Sequence, residues 1–245
     1  MSVRSLIKDF IPPIVARALR PTPEWYGFSG DYASWSEATA AAAPYETDVT
    51  IFGARAKAEQ RNSSEPPLAV LAGFLMAQDY CSTPLDVLDY GGGMAPHYWQ
   101  LRKLTRIKSW HVVELPDVVD YAVANFTGTV PSFSTKIPAD IPSVLLLSGV
   151  LQYLPEPTET VRSLLGLQPA FVVHDRLPLM RERERIMVQK IPKHLGGQEL
   201  PWRALNDQIL SALFADYELL IDHDYGTPGP GSDASYRARV YRRRS

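Results

Sequence analysis

The sequence is poor in the residue types that mark several classes of protein. It has one cysteine, Cys81, in 245 residues, which excludes an internal disulfide framework and a zinc site built from cysteines. A reducing, cytoplasmic setting is the simplest expectation. The five histidines show no ligand spacing, so no metal site is expected. The net charge of −2 provides no long-range field, so neither nucleic acid nor an anionic membrane is an expected partner.

Long hydrophobic runs are also missing. No stretch reaches the ~20 apolar residues that span a bilayer. In the first segment, MSVRSLIKDFIPPIVARALRP, Lys8 and Asp9 interrupt the apolar run and two prolines break it, which argues against a signal peptide. We expect this segment to form a lid or packing helix, and a membrane-surface anchor is the alternative. The sequence does not indicate the oligomeric state.

The composition fits one large domain with an extension. Hydrophobic residues make up 45% of the chain, enough for a sizeable core. Residues 1–64 are expected to form a mostly helical extension or lid, with EWYGFSGDYASWSEA as a turn-rich aromatic loop before a short helix. Its aromatic residues, among them Tyr32 and Trp35, could close over a ligand or pack the extension onto the main domain. Residues 65–245 are expected to be that main domain.

Short apolar runs alternate with helical patterns from residue 85 onward. LDVLDY, SWHVVEL, SVLLLSG and AFVVHD, with a short run near 130–134, predict a mostly parallel α/β sheet. About eight residues separate the strands near 134 and 143, too few for a crossover helix. An extended link of that length still crosses three strand spacings. The predicted strand order is therefore 3-2-1-4-5, with a switch point between strands 1 and 4.

The C-terminal third carries a different pattern. YELLIDHD and YRARVYRRR are joined by a glycine-proline loop and predict a hairpin, whose last strand ends the sheet in antiparallel orientation. WRALNDQILSALFADY predicts an amphipathic helix. RLPLMRERERIMVQK predicts a solvated helix, and its Arg176 and Arg181 are possible contacts to an acidic ligand.

Three glycines, Gly91, Gly92 and Gly93, follow the first strand of that sheet. Ligands of open α/β sheets bind at this edge, and residues without side chains let them approach the backbone. A phosphate-binding loop would need Gly-Lys-Ser/Thr, which is absent, and a dinucleotide fingerprint would need glycine where Pro96 stands. Asp89 would repel a pyrophosphate and suits a cationic ligand such as an ammonium or a sulfonium.

Glu114 ends the second strand, where a carboxylate accepts hydrogen bonds from ribose hydroxyls. With Asp89 and the glycines it favours S-adenosylmethionine as the cofactor. NAD, and with it an NAD-dependent oxidoreductase, is the weaker alternative.

These motifs resemble those of a known superfamily. LDVLDYGGG, HVVELP, SVLLLSGVLQYLPEP and FVVHDRLPL are similar to the successive motifs of class I S-adenosylmethionine-dependent methyltransferases. GDYASWSEA and GVLQYLPEP further resemble a bacterial family of methyltransferases assigned mostly by sequence and often associated with surface-polysaccharide genes. The resemblance covers roughly residues 25–242. It implies a Rossmann-like fold with seven strands in the order 3-2-1-4-5-7-6, the last strand being antiparallel.

The resemblance also implies roles for individual residues. Gly91–Gly93 would lie against the methionine part of the cofactor, whose amino group Asp89 would orient. Glu114 would bind the ribose. The remaining cofactor contacts that it implies are Leu115 and Ser134 beside the adenine, and Ser148, Gly149 and Val150 on the methionine side. Gln152 stands where many members have histidine, which leaves the general base open.

The expected reaction is methyl transfer from S-adenosylmethionine to a small-molecule or glycan-type acceptor, by O-methylation. A base is needed if the acceptor must lose a proton. His174, beside Asp175, and His97 are the two candidates. Tyr32, Trp35, Tyr153 and Arg176 are expected to contact the acceptor. A non-catalytic cofactor-binding or scaffold protein on the same fold is the alternative.

Overall fold

The computed structural model describes residues 27–43, 49–61, 64–126, 128, 130–191, 197–229 and 232–244. Within them the chain forms ten strands, seven α-helices and one 3-10 turn at Leu151–Tyr153. The strands are β1 (Gly27–Tyr32), β2 (Leu85–Tyr90), β3 (Ile107–Val113), β4 (Ser132–Ser134), β5 (Val144–Ser148), β6 (Phe171–Met180), β7 (Arg185–Lys190), β8 (Glu199–Asn206), β9 (Tyr217–Gly226) and β10 (Ser235–Arg243). The helices are α1 (Trp35–Ala41), α2 (Val49–Arg61), α3 (Leu68–Cys81), α4 (Pro96–Leu101), α5 (Pro116–Asn125), α6 (Pro157–Leu165) and α7 (Asp207–Ala212).

Seven strands form the sheet that the sequence predicts. They lie in the spatial order β4-β3-β2-β5-β6-β10-β9. The first five are parallel to one another, and β10 runs antiparallel to both β6 and β9. Counted along the chain this is the order 3-2-1-4-5-7-6. The predicted Rossmann-like sheet, with this strand order and an antiparallel last strand, is confirmed.

The sheet is buried because both of its faces are covered. All but the last residue of the apolar strand β5 is buried, as expected for a central parallel strand. Helix α3 covers one face and comes so close that a Cβ on Gly73 would lie 2.9 Å from Val173 and 3.0 Å from Val240. On the other face, Leu210 of α7 and Leu164 of α6 pack in one core with neighbouring sheet residues.

Three further strands form an antiparallel sheet that the sequence analysis did not predict. Their order is β1-β7-β8, and β8 continues into the main sheet through a short parallel ladder with the end of β6. That ladder pairs Leu179 with Leu205 and Met180 with Asn206. Strand β1 lies where an aromatic loop was predicted, so the extension contributes a strand to the domain.

Two predicted helices are wrong for related reasons. In RLPLMRERERIMVQK the four charged residues 181–184 lie in the turn between β6 and β7. The residues from Ile186 to Gln189 are buried in β7. In WRALNDQILSALFADY the first five residues belong to β8, whose residues 202–205 are buried. Helix α7 begins only after Asn206, whose side chain accepts a hydrogen bond from the backbone N–H of Ile209.

No helix in the described part of the chain is long and apolar enough to cross a membrane.

Candidate functional site

A pocket of about 600 Å³ lies at the carboxyl ends of β2 and β5 and beside Asp175 and Arg176 in the middle of β6. This edge includes the switch point between β2 and β5, where open α/β sheets bind ligands. The loop after β2, the first turn of α4, the segment before α3 and the β9–β10 hairpin enclose it. Its lining includes Gly91, Gly92, Gly93, His97, Gln100, Glu65, Ser148, Asp175, Arg176, Tyr225 and Tyr236.

The three glycines have different roles. Gly91 has a φ of +68°, and a Cβ there would collide with the side chain of Val150. A Cβ on Gly92 would collide with the carboxyl group of Asp89. Packing within the protein therefore requires glycine at positions 91 and 92. Gly93, with a φ of +55°, has open space where its Cβ would be, and this glycine keeps the pocket open.

Asp89 lies beneath this loop and is fully buried. Trp110 Nε1 donates a hydrogen bond to its Oδ2 over 3.0 Å, and its Oδ1 has no hydrogen-bond partner among the described residues. Burial raises the pKa of Asp89 to about 7. Because Gly92 covers the carboxyl group, the structure shows no direct contact with the pocket.

Glu114 joins the glycine loop to the end of β3. Its Oε1 accepts a hydrogen bond from the Gly93 N–H over 3.1 Å, and its Oε2 accepts one from the Leu115 N–H over 2.7 Å. Burial raises the pKa of this carboxyl group, and the two backbone hydrogen bonds oppose the shift. A carboxylate has lone pairs for about four hydrogen bonds, so two remain for ligand hydroxyls.

Neither of the two residues predicted to lie beside the adenine, Leu115 and Ser134, lines the pocket. The side chain of Leu115 is exposed. The hydroxyl of Ser134 is bonded to His111 Nε2 over 2.8 Å and donates to the carbonyl of Lys136 over 2.7 Å. Ser134 is not among the residues that line the pocket, and its hydroxyl is held by β3 and the following loop.

A polar network surrounds Ser148 at the end of β5. Its hydroxyl lies 2.9 Å from His97 Nε2 and donates to Asp175 Oδ2 over 3.0 Å, and it accepts a bond from Arg176 Nη2 over 3.0 Å. The hydroxyl of Tyr225 donates to Asp175 Oδ1 over 3.0 Å. The structure therefore brings the predicted residues His97, Ser148 and Arg176 together.

The position of His174 in the structure contradicts its predicted role as a base. The side chain is fully buried and packs edge-on against Phe214 and Tyr241. Burial lowers its pKa to about 3. Consecutive strand residues point to opposite faces, so the orientation that brings Asp175 to the pocket directs His174 into the core. His97 is the histidine that lines the pocket.

Three predicted acceptor contacts also lie elsewhere. Tyr32 and Trp35 pack against Ile186 and Val188 in the small sheet, where the Trp35 ring also faces the Arg203 guanidinium at 5.4 Å. The hydroxyl of Tyr153 donates to the buried Gln189 over 2.7 Å. None of the three is among the lining residues of the pocket. These side chains attach the extension and the 3-10 turn to the small sheet. Trp25 and Tyr26, from the same aromatic stretch, lie outside the described residues.

Sequence reasoning missed several residues of the site. Asp175 was considered only as a partner of His174, although a strand-end acid is the same signal that identified Glu114. Tyr225 and Tyr236 enter through the hairpin, and no local pattern marks them. Gly149, with a φ of +65°, lies beside the Arg176 guanidinium, and Val150 packs on Gly91.

The comparisons with known proteins give structural likenesses only. No protein-family model matches the chain, and no curated protein is significantly similar to it. One similar solved structure is the Burkholderia thailandensis 1,6-didemethyltoxoflavin-N1-methyltransferase with bound 1,6-didemethyltoxoflavin and S-adenosylhomocysteine. It is 14% identical over 91% of this chain and 98% of that chain, with a TM-score of 0.49.

Two further solved structures are similar. A S-adenosylmethionine-dependent methyltransferase from Clostridium acetobutylicum is 9% identical over 71% of this chain and 91% of that one, with a TM-score of 0.48. The CcbJ methyltransferase from Streptomyces caelestis is 16% identical over 75% of this chain and 92% of that chain, with a TM-score of 0.44. With identities of 9–16% and TM-scores below 0.5, these likenesses carry no argument about function, which has to be argued from the site.

Proposed function

We propose that the protein binds S-adenosylmethionine and transfers its methyl group to a small-molecule or glycan-type acceptor, as an O-methyltransferase. The cofactor supplies a methyl group bonded to a positively charged sulfur. Everything else in the reaction depends on how the chain binds and orients the two reactants, since an in-line displacement gains most from positioning.

The junction between Gly93 and Glu114 carries this proposal. The Gly93 N–H holds one carboxylate oxygen of Glu114 over 3.1 Å, and the glycine itself leaves open space at the pocket. Glu114 is bonded to this lining glycine and is not itself among the lining residues. A ribose on Glu114 beside a chain along Gly93 would therefore extend the ligand from the pocket toward the end of β3. Asp89, whose buried Oδ1 has no hydrogen-bond partner among the described residues, supports the loop from below and adds negative potential toward a cationic ligand.

We place the methyl acceptor in the polar part of the pocket. Ser148, Asp175 and Arg176 converge there with Tyr225. The resemblance of GDYASWSEA and GVLQYLPEP to a family associated with surface-polysaccharide genes supports a glycan-type acceptor. A base role for His97 stays a prediction. It requires the Ser148 hydroxyl to turn its proton from Asp175 to His97 Nε2, 2.9 Å away, and to take up the proton of the acceptor in exchange.

Calorimetry first tests whether the protein binds the proposed cofactor. Wild type should bind S-adenosylmethionine and S-adenosylhomocysteine in preference to NAD, and Glu114→Ala should lose most of that affinity. Gly93→Ala should also lose it, because the methyl group enters the open space of the pocket. Gly128→Ala is the matched control, since Gly128 also has a positive φ and open surroundings but does not line the pocket. A folded wild type that binds NAD and no adenosyl compound would refute the proposal.

A transfer assay separates the enzyme from a cofactor-binding scaffold. Radiolabelled S-adenosylmethionine and a metabolite and glycan extract should yield a labelled product with wild type. His97→Gln should reduce transfer and leave S-adenosylhomocysteine binding unchanged. Cofactor binding without transfer to any extract would favour the scaffold alternative.

A further inference from the structure

Strand β6 contains a β-bulge at the pocket. Arg239 of β10 pairs with His174, and Arg237 pairs with Leu177, so one residue of β10 lies opposite both Asp175 and Arg176. A bulge of this kind turns side chains away from the regular alternation. Here it brings two consecutive residues, Asp175 and Arg176, to the same pocket, although neighbours in a regular strand face opposite sides.

The backbone of Arg176 is strained. Its φ is +51°, in the left-handed region where a Cβ comes too close to the following carbonyl oxygen. If the bend alone were required, glycine would form it without that close approach. Strain of this type is concentrated at functional sites, so an arginine at this position indicates that its side chain is needed.

The guanidinium of Arg176 is held in place and still has free donors. Its Nη2 donates to Ser148 Oγ over 3.0 Å, and its Nε lies 3.3 Å from Asp175 Oδ2. Among the described residues, none accepts a hydrogen bond from Nη1. The side chain lies beside Gly149, where a Cβ would be 3.4 Å from Nε, and 56% of it is exposed.

Arg176 forms an ion pair with one acid, Asp175, through its Nε, so this pairing leaves the Nη1 donors unused. Among the described residues that line the pocket, it is the one arginine or lysine. The Asp175 carboxylate is 1% exposed and already accepts bonds from Ser148 and Tyr225. The other acid of the lining, Glu65, is exposed to solvent, where its charge is screened.

We propose that Arg176 binds an anionic group of the methyl acceptor, a carboxylate or a phosphate, and so selects acidic acceptors. This inference rests on the proposed function. A guanidinium suits it because its planar donors match the oxygens of either group. Arg181, the other arginine considered from the sequence, is exposed and does not line the pocket.

The test measures sugar binding to the full chain saturated with S-adenosylhomocysteine, by ligand-observed NMR. The probes are D-glucuronate, D-glucose 6-phosphate and neutral D-glucose, which separate the carboxylate from the phosphate. Wild type should bind at least one anionic sugar saturably and at least tenfold more tightly than glucose. Arg176→Gln should weaken that binding about tenfold or more, and Arg181→Gln should leave it unchanged.

Arg176→Gly adds a readout that a structural role would not produce. Glycine relieves the backbone strain, so this variant should melt at a higher temperature than Arg176→Gln, which lacks the guanidinium and keeps the strain, and it should still lose anion binding. An anionic sugar that binds Arg176→Gln as well as wild type overturns the inference, as does the absence of anion binding to wild type. If S-adenosylhomocysteine itself fails to bind, the proposed function falls.

The competing role for Arg176 is contact with the carboxylate of the cofactor. Calorimetry with S-adenosylhomocysteine and with 5′-methylthioadenosine, which lacks that carboxylate, distinguishes the two. The inference predicts that Arg176→Gln binds both as wild type does. A selective loss of S-adenosylhomocysteine affinity would assign Arg176 to the cofactor and overturn the inference.

Discussion

Replacing Asp89 by asparagine should make the protein more stable at neutral pH. Asp89 is fully buried, and burial raises its pKa in the folded state from 3.8 to about 7, against the opposing hydrogen bond from Trp110. The folded protein therefore binds this proton more tightly than the unfolded chain does. The stabilisation is complete below pH ~4 and is lost as the pH rises to about 7.

The size of the effect follows from the pKa. At about 1.4 kcal/mol for each pH unit, the shift from 3.8 to about 7 corresponds to roughly 4 kcal/mol. Asparagine has no proton to lose, and its amide oxygen still accepts from Trp110. Between pH 5 and 8, the free energy of unfolding of Asp89→Asn relative to wild type should rise by about 3 kcal/mol.

Urea denaturation at several pH values measures this difference. Asp86→Asn is the control, because Asp86 lies on the same strand but is partly exposed and paired with Lys108. The stability of this variant should fall with rising pH as that of wild type does. If Asp89→Asn loses stability with pH in parallel with wild type, the carboxyl group is not protonated in the folded state and the reasoning is refuted. Above about pH 7, where Asp89 is ionised, the same variant should bind S-adenosylmethionine more weakly than wild type, because a negative charge has been removed; below about pH 6 the two should bind alike.

Three other substitutions test the placement of single residues, each by urea denaturation. His174→Leu should leave the stability unchanged or raise it, because both ring nitrogens are buried without a hydrogen-bond partner in the described chain. The variant should still bind S-adenosylhomocysteine, and a loss of that binding would contradict the placement of His174 in the core. Tyr153→Phe should cost about 1–3 kcal/mol, because it leaves the buried Gln189 oxygen unpaired; an unchanged midpoint would argue against that bond. Gly91→Ala should cost more than Gly93→Ala, because only the former collides with Val150, and equal losses would disagree with the geometry.

The main sheet was predictable because its strands are marked locally. Runs such as LDVLDY and SVLLLSG are apolar enough to require burial, and the short link before β5 limits how the strands can connect. The small sheet was not predictable in this way. The buried residues of β7, from Ile186 to Gln189, follow a run of charged residues that is equally typical of a helix. Its partner β1 is more than a hundred residues away in the chain.

The site was predictable where it depends on position after a strand. Gly93, Glu114 and Ser148 follow strand ends, and each lies at the edge of the sheet that the topology assigns to ligands. The bulge in β6 has no local signature, so the shared facing of Asp175 and Arg176 could not be derived. His174 was assigned to the pocket because the alternation of a strand does not tell which of two neighbours, His174 or Asp175, faces the ligand.

The pairing of β1 with β7 has a consequence for the newly made chain. Tyr32 pairs with Ile186, and Gly27 pairs with Lys190, so the ribosome must add more than 150 residues before β1 meets its partner. At about 5–20 residues per second this takes on the order of 10–30 seconds. During that time Phe28 and the edge of an unpaired strand are open to association with other chains. We therefore expect the yield of folded protein during synthesis to depend on chaperones that cover this short segment.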